Sequence, residues 1–172
     1  MNYKAEFIEF YLRNQHLPYQ LNFFKEGKPM GTAGSISLLK EKIDQTFFVN
    51  NCDILIEQDY SEILDFHRQS KNEITIVAAL KNYSIPYGVI ETGNNGTLLN
   101  LQEKPEFTFK INSGMYILEP HLLDEIPVNE VYYITQLINN IKCRQGQIGV
   151  FPVSEGSWKD IGSWEELKKH LG

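Results

Sequence analysis

The sequence predicts an α/β protein whose sheet is parallel in part. Three observations carry this. Thr46-Phe47-Phe48-Val49-Asn50 is a short apolar, β-branched and aromatic run that ends abruptly in Asn51-Cys52-Asp53, the pattern of a strand buried on both faces and bounded by turn residues. Glu73 to Leu80 is a second buried run. Between the two, Asp59 stands as N-cap to a helical pattern reaching Ser70, with Ile63, Leu64 and Phe66 inward. Strand, helix and strand in succession form a βαβ unit, the building block of parallel sheet.

The remaining elements follow in order. Tyr3 to Asn14 places Phe7, Ile8, Phe10, Tyr11 and Leu12 at mostly helical spacing among charged residues, which predicts an amphipathic, core-packing helix. Tyr19 to Phe24, after Pro18, reads as a short strand. Gly27 to Gly31 is a loop, and Thr32 is placed to cap a helix running to about Ile43. Tyr87–Thr92 and Gly96–Glu103 flank Gly93-Asn94-Asn95 as a hairpin. Lys110–Leu118 is a strand containing a small Gly114 where a ligand or backbone has room to approach. Glu119–Leu123 gives a helical turn or two, Tyr132–Cys143 an amphipathic helix, Gln147–Val153 a strand and Trp158–Gly162 an extended segment. Ser163 caps a last helix, Trp164–His170, with Glu166 completing a capping box. No linker divides the chain, so residues 1–172 read as one domain.

Composition narrows the function classes. A formal net charge of −6 argues against broad electrostatic binding of nucleic acid. No apolar run is long enough to span a bilayer, and no membrane association is expected. Neither a signal-peptide pattern nor a disulfide framework is present; Cys52 and Cys143 stand far apart, and a reduced, cytoplasmic setting is the expectation. His16, His67, His121 and His170 lack zinc-ligand spacing. Trp158 and Trp164 read as core and edge packing, and Phe23-Phe24 and Phe47-Phe48 as sheet core.

Asp53 lies one step past the first buried strand, where ligands of open α/β sheets sit. A carboxylate there is able to hold a hard cation, and the cation phosphates. Glycines at 31 and 34 permit close backbone approach, and helix-start N–H groups attract anions; on local pattern alone a capped helix after a loop is the simpler reading.

Five segments in order, Gly31-Thr32-Ala33-Gly34, Asn51-Cys52-Asp53, Glu103-Lys104-Pro105, Asn112-Ser113-Gly114-Met115-Tyr116 and Trp158-Lys159-Asp160-Ile161-Gly162, resemble the sugar-1-phosphate nucleotidyltransferases, which include mannose-1-phosphate guanylyltransferases. The resemblance implies a Rossmann-like nucleotide-diphospho-sugar transferase fold, with a mixed, mostly parallel sheet flanked by helices. It implies a reaction in which an NTP and a sugar-1-phosphate give an NDP-sugar and pyrophosphate with Mg²⁺. By the same resemblance Gly31, Thr32, Ala33 and Gly34 would lie against the nucleotide base. Asp53 and Asp160 would share the metal, Glu103 and Lys104 would contact the sugar and its phosphate, and Asn112 and Gly114 would line the sugar pocket. Asp53, Asp160 and Lys104 are thus the expected catalytic set. The wording around Gly149–Trp158 resembles guanylyltransferase-type members, which favours GTP.

Two departures stand out. The family has Asn-Gly-Asp where this chain has Asn51-Cys52-Asp53, which adds a side chain beside the metal turn. The family's Gly-x-Gly-Thr-Arg loop, which grips the triphosphate, is missing, and Met1–Asn14 resembles the helix after the family's second strand. The expectation is a chain lacking the first βαβ segment: a fragment of a longer enzyme, or alternatively a natural short relative that has lost activity. An exposed sheet edge or apolar surface then predicts a homodimer or larger assembly. The competing class is a non-catalytic sugar-phosphate or nucleotide-binding module, or a regulatory subunit; an upstream in-frame segment carrying the Gly-rich motif in the gene would count against it.

Overall fold

The computed structural model describes residues 3–162 together with Trp164 and Lys168. Along the chain the elements are α1 (Ala5–Arg13), α2 (Gly31–Gly34), β1 (Phe47–Asn50), β2 (Ile54–Ile56), α3 (Tyr60–Gln69), β3 (Ile74–Ser84), β4 (Val89–Thr92), β5 (Leu98–Gln102), β6 (Glu106–Leu118), α4 (Ile134–Cys143), β7 (Ile148–Val153) and β8 (Trp158–Asp160). The helix expected from Trp164 to His170, with its Ser163/Glu166 box, lies outside the described residues. The residues group into two compact units, one of 1–47 and 119–147, the other of 48–118 and 148–172.

The second unit holds the sheets. The β-branched run Ile74–Val77 starts β3, the strand that pairs on both sides in a four-stranded sheet of order β1-β6-β3-β7. β3 pairs antiparallel with β6 and parallel with β7, so the sheet is mixed. Part of the sheet is parallel as expected, but the parallel pair is β3 with β7; the two strands of the expected βαβ unit, β1 and β3, are not neighbours, since β6 stands between them. Pro152 is tolerated in β7 because this strand lies at the edge. Ile54, Ile56, Ile63, Val77, Met115, Ile117 and Val153 form the core, with Phe48, Leu64 and Trp158 packed against it. α3 covers it with Ile63 inward, and the Asp59 carboxylate accepts from Ser61 N at 2.9 Å, as the N-cap pattern predicts.

The strand before Asp53, expected to be buried on both faces, is not, and Ile54–Ile56 beyond it forms a further strand. β1 is half-buried at a sheet edge, whereas β2 leaves this sheet and pairs with β8. The interruption is Asn51-Cys52-Asp53, whose turn chemistry outweighs the apolar pattern on either side. The hairpin forms as expected, with Val89 opposite Gln102; Gly96, at φ +73°, takes the left-handed position in its turn.

The first unit is helical and loop-rich. Residues 19–24 form no strand, because among the described residues no neighbouring chain gives them a ladder. The Phe23-Phe24 pair is therefore not sheet core. α2 tightens into a 3-10 turn over Ser35–Leu39 and stops before Ile43. α1 buries only Ala5, while Phe7, Phe10 and Tyr11 are exposed, so the expected core-packing face is uncovered among the described residues. Pro120–Glu125 forms the expected helical turns, burying Leu122 and Leu123. α4 begins at Ile134; Tyr132 is extended and buried before it. No helix among the described residues is long and apolar enough to cross a membrane.

Candidate active site

Strand alternation places the first pair of acids. Ile54 and Ile56 are buried and Leu55 is exposed, which fixes the face of β2. β2 runs antiparallel to β8 with Ile54 opposite Asp160 and Ile56 opposite Trp158. Asp53, one residue before Ile54, therefore meets Asp160 from the far part of the chain. The chain then folds back: Ile161 N donates to Asp53 O at 2.9 Å, and Gly162 N donates to Asp160 Oδ1 at 2.9 Å. A Cβ on Gly162 would stand 3.0 Å from Asp53 Oδ2 and 3.1 Å from Asp160 Oδ1. Both carboxylates, each half-buried, thus converge on the small residue beside them. The Lys159 ammonium pairs with Glu57.

This donor set fits Mg²⁺. A hard cation takes oxygen ligands, keeps several waters and needs only one or two carboxylates from protein. The hydrogen atom of Gly162 leaves space between the acids that any larger residue would fill. No group of three or more His, Cys, Asp or Glu suited to a metal occurs among the described residues, which distinguishes this pair from a zinc-type cage. Cys52 is exposed and free, so the extra side chain in the turn lies at the surface.

The second component is a bulge in β6. Ile76 pairs with Tyr116 but Ala78 pairs with Asn112, so Ser113, Gly114 and Met115 oppose Val77 alone. Side chains hold this excursion. Asn112 Oδ1 accepts from Gly114 N at 3.2 Å, and Asn112 Nδ2 donates to Tyr116 Oη at 2.6 Å. Ser113 Oγ donates to Val77 O at 2.7 Å. Burial pushes the Tyr116 phenol above its ordinary range, against the opposing effect of the Asn112 bond, so the phenol stays protonated at neutral pH. Gly114 sits at φ +89°, left-handed, and the space a Cβ would take is filled by Asn51 Nδ2 at 2.9 Å. The approach to Gly114 is thus made by a side chain. Asn51 N also donates to Gly114 O at 3.0 Å, which ties the Asn51–Asp53 turn to the bulge.

Glu103 and Lys104 close the hairpin. A Cβ on Gly88 would lie 3.0 Å from Glu103 Oε2, and Lys104 N donates to Tyr87 O at 3.2 Å. Lys104 holds φ at +46°, a left-handed backbone that a lysine adopts at a strain of about 1–2 kcal/mol. Both side chains are exposed.

Gly31–Gly34 belong to the other unit. Ala33 N and Gly34 N both donate to Tyr132 O at 3.0 Å, and Tyr132 N donates to Met30 O at 2.9 Å. A Cβ on Gly31 would meet Tyr132 O at 2.7 Å, and one on Gly34 would meet Glu130 O at 2.6 Å. Thr32 does not cap its own helix. Its Oγ1 accepts from Ile134 N at 3.0 Å, so it caps α4, while the Gln136 side chain accepts from Tyr133 N.

The sequence profile described as Nucleotidyl transferase matches residues 1–170. The chain belongs to the nucleotidyl transferase family. Among its relatives, the mannose-1-phosphate guanylyltransferase catalytic subunit beta of Danio rerio is 32% identical over 170 residues, covering 94% of this chain and 47% of its own. Mannose-1-phosphate guanylyltransferase 1 of Arabidopsis thaliana is 30% identical over 171 residues, with 94% and 47% covered. The chain thus spans about half the length of the curated relatives it matches. HddC from Yersinia pseudotuberculosis superimposes with a TM-score of 0.71 at 23% identity, covering 98% of this chain and 73% of HddC, which supports the fold.

In this chain the sequence reading missed four residues. Gly162 and Gly88 carry no chemistry, so only their neighbours give them away. Asn51 and Ser113 sat inside quoted segments without a role. Trp158 packs on the core as expected, and its Nε1 donates to Ser113 O at 3.1 Å. Trp164, expected at a packed edge, is exposed. His67, passed over, is buried and bonded to Thr75 Oγ1 at 2.8 Å.

Proposed function

We propose that this chain provides the metal and acceptor parts of an enzyme that joins an NTP, GTP favoured, to a sugar-1-phosphate of the mannose type. An oxygen of the sugar phosphate attacks the α-phosphorus of the nucleotide. A new P–O bond forms, the bond to the β-phosphate breaks, and pyrophosphate leaves. The observation that carries this is the convergence of Asp53 and Asp160 on Gly162. The names of the curated relatives support the choice of nucleotide and sugar.

Asp53 and Asp160 would hold Mg²⁺, which when bound supplies positive charge between two phosphates that otherwise repel. The residues of the chain position the reactants. Asn112 and Gly114, fixed by the bulge, would form the wall against the sugar. Lys104 would neutralise the sugar phosphate as a point charge, and Glu103 would accept from sugar hydroxyls. Gly31, Thr32, Ala33 and Gly34 would lie against the base; with the N–H groups of Ala33 and Gly34 already engaged, they would act there as a surface of fixed shape. No protein nucleophile is needed, since positioning and charge neutralisation supply the catalysis. The 172 residues contain no Gly-x-Gly-Thr-Arg segment, so this polypeptide alone is expected to bind Mg-NTP weakly and turn over slowly.

Calorimetric titration with mannose-1-phosphate and with GTP in Mg²⁺, beside Asp53→Ala, tests the proposal. Sugar-phosphate binding that weakens in the variant supports it. Absence of sugar-phosphate binding in the native chain refutes it.

A further inference from the structure

The Asp160 strand and the Asn112–Gly114 bulge come from separate parts of the sequence, yet one side-chain bond joins them directly. Trp158 opens β8, two residues before Asp160, and its ring packs against the core. Its Nε1–H donates to Ser113 O at 3.1 Å. Ser113 is buried and held on its other side, with Oγ donating to Val77 O at 2.7 Å and accepting from Met115 N at 3.3 Å. The acceptor carbonyl therefore belongs to a residue that has little freedom to move. Its neighbours Asn112 and Gly114 bear the expected sugar contacts.

We infer that Trp158 is a positioning residue that couples the two carboxylates to the sugar wall. A ligand that shifts Asp160 moves the start of β8, and the indole N–H carries that shift to the middle residue of the bulge. The same path runs backwards, because coupling between two sites is reciprocal. A second, longer route runs from Ile161 N to Asp53 O at 2.9 Å and from Asn51 N to Gly114 O at 3.0 Å, so Trp158 is the direct side-chain link from β8 to the bulge and the backbone route through Asp53 is the indirect one. The inference rests on the reading of Asp53 and Asp160 as metal ligands and of Asn112 and Gly114 as sugar contacts.

Trp158→Phe keeps an apolar ring and removes the donor. Calorimetry of mannose-1-phosphate, with and without Mg²⁺, reads the coupling. In the native chain Mg²⁺ should tighten sugar-phosphate binding about 5- to 10-fold. In Trp158→Phe the metal-free affinity should stay within about 2-fold, and the tightening should fall to about 2-fold or less, as loss of the direct hydrogen-bonded link allows. Tightening that is equal in both proteins overturns the inference and leaves the proposed function standing. A native chain that binds the sugar phosphate but ignores Mg²⁺ also overturns it. A native chain that binds no sugar phosphate under either condition overturns both.

A second measurement serves if Trp158→Phe does not fold. Trp164 is exposed, so Trp164→Phe leaves Trp158 as the only indole at little risk to stability. The indole N–H resonance of that protein should move when Mg²⁺ alone is added and when mannose-1-phosphate alone is added. A resonance that neither ligand moves, in a protein that binds both, refutes the coupling.

Discussion

Two sets of glycines in this chain meet opposite demands. Gly31 and Gly34 are small because main chain lies against them: the carbonyls of Tyr132 and Glu130 occupy the space a Cβ would take. Gly114 and Gly162 are small because polar side chains lie against them: the Asn51 amide over one, the Asp53 and Asp160 carboxylates over the other. Main chain cannot step aside, whereas the end of a side chain yields by a rotation. A methyl group in the first set should therefore break the fold, and one at Gly162 should spare the fold and break the chemistry.

The largest contrast is expected between Gly34→Ala and Asp53→Ala. Gly34→Ala should destabilise the chain by about 1–3 kcal/mol through overpacking, read as a fall in the midpoint of urea unfolding. Asp53→Ala should leave that midpoint nearly unchanged and remove several kcal/mol of metal-dependent stabilisation, read by Mg²⁺ titration. Equal unfolding losses in both would erase the distinction. Gly162→Ala sharpens it: Mg²⁺ binding should weaken about 10- to 100-fold with the unfolding midpoint held, because the added methyl displaces two carboxylates and no backbone.

Thr32→Ala probes the first region more gently. Loss of the hydroxyl that accepts from Ile134 N should lower stability by about 1 kcal/mol, and Thr32→Ser should restore it. A loss that serine fails to rescue would assign the effect to the methyl group.

The smallest effect concerns pH. The Lys81 ammonium, helped by the Asn82 N–H, holds the Glu155 carboxyl below its usual value of 4.5. A carboxyl depressed in the folded state adds stability above its unfolded pKa, and that addition is lost as pH falls through the folded value. Melting curves of the native chain and Glu155→Gln should differ slightly at pH 6 and converge at acid pH below 4.5. A difference that grows on acidification would reverse the assignment.

Much of the architecture is legible in the sequence because it is written locally. The α3 cap, the hairpin and the helical turns after Glu119 depend on residues a few positions apart. Reading failed where a distant partner decides. Tyr19–Phe24 has strand composition but, among the described residues, no neighbour to pair with. Thr32 looks like a cap for the helix it sits in and serves another, far along the chain. β2 and β8 have three residues each, too few for a pattern to announce that they pair. The acids at 53 and 160 were legible as a set only through family resemblance; spacing alone says nothing of their meeting. The bulge in β6 was half visible, since Gly114 marked it, but Ser113 and Asn51 act through backbone partners that no motif records.

The pairing of β2 with β8 has a consequence for assembly in time. Asp53 and Asp160 enter the growing chain far apart, and closing so long a loop is an entropic step that local elements do not face. On the ribosome, α3, the β3–β6 pair and the hairpin are free to form before β8 has been made. The acidic corner is then completed late, when the short β8 pairs with β2. A divalent cation added during refolding should accordingly act on the last phase of the kinetics and leave the earlier ones untouched, making the ion a timer for the closing event.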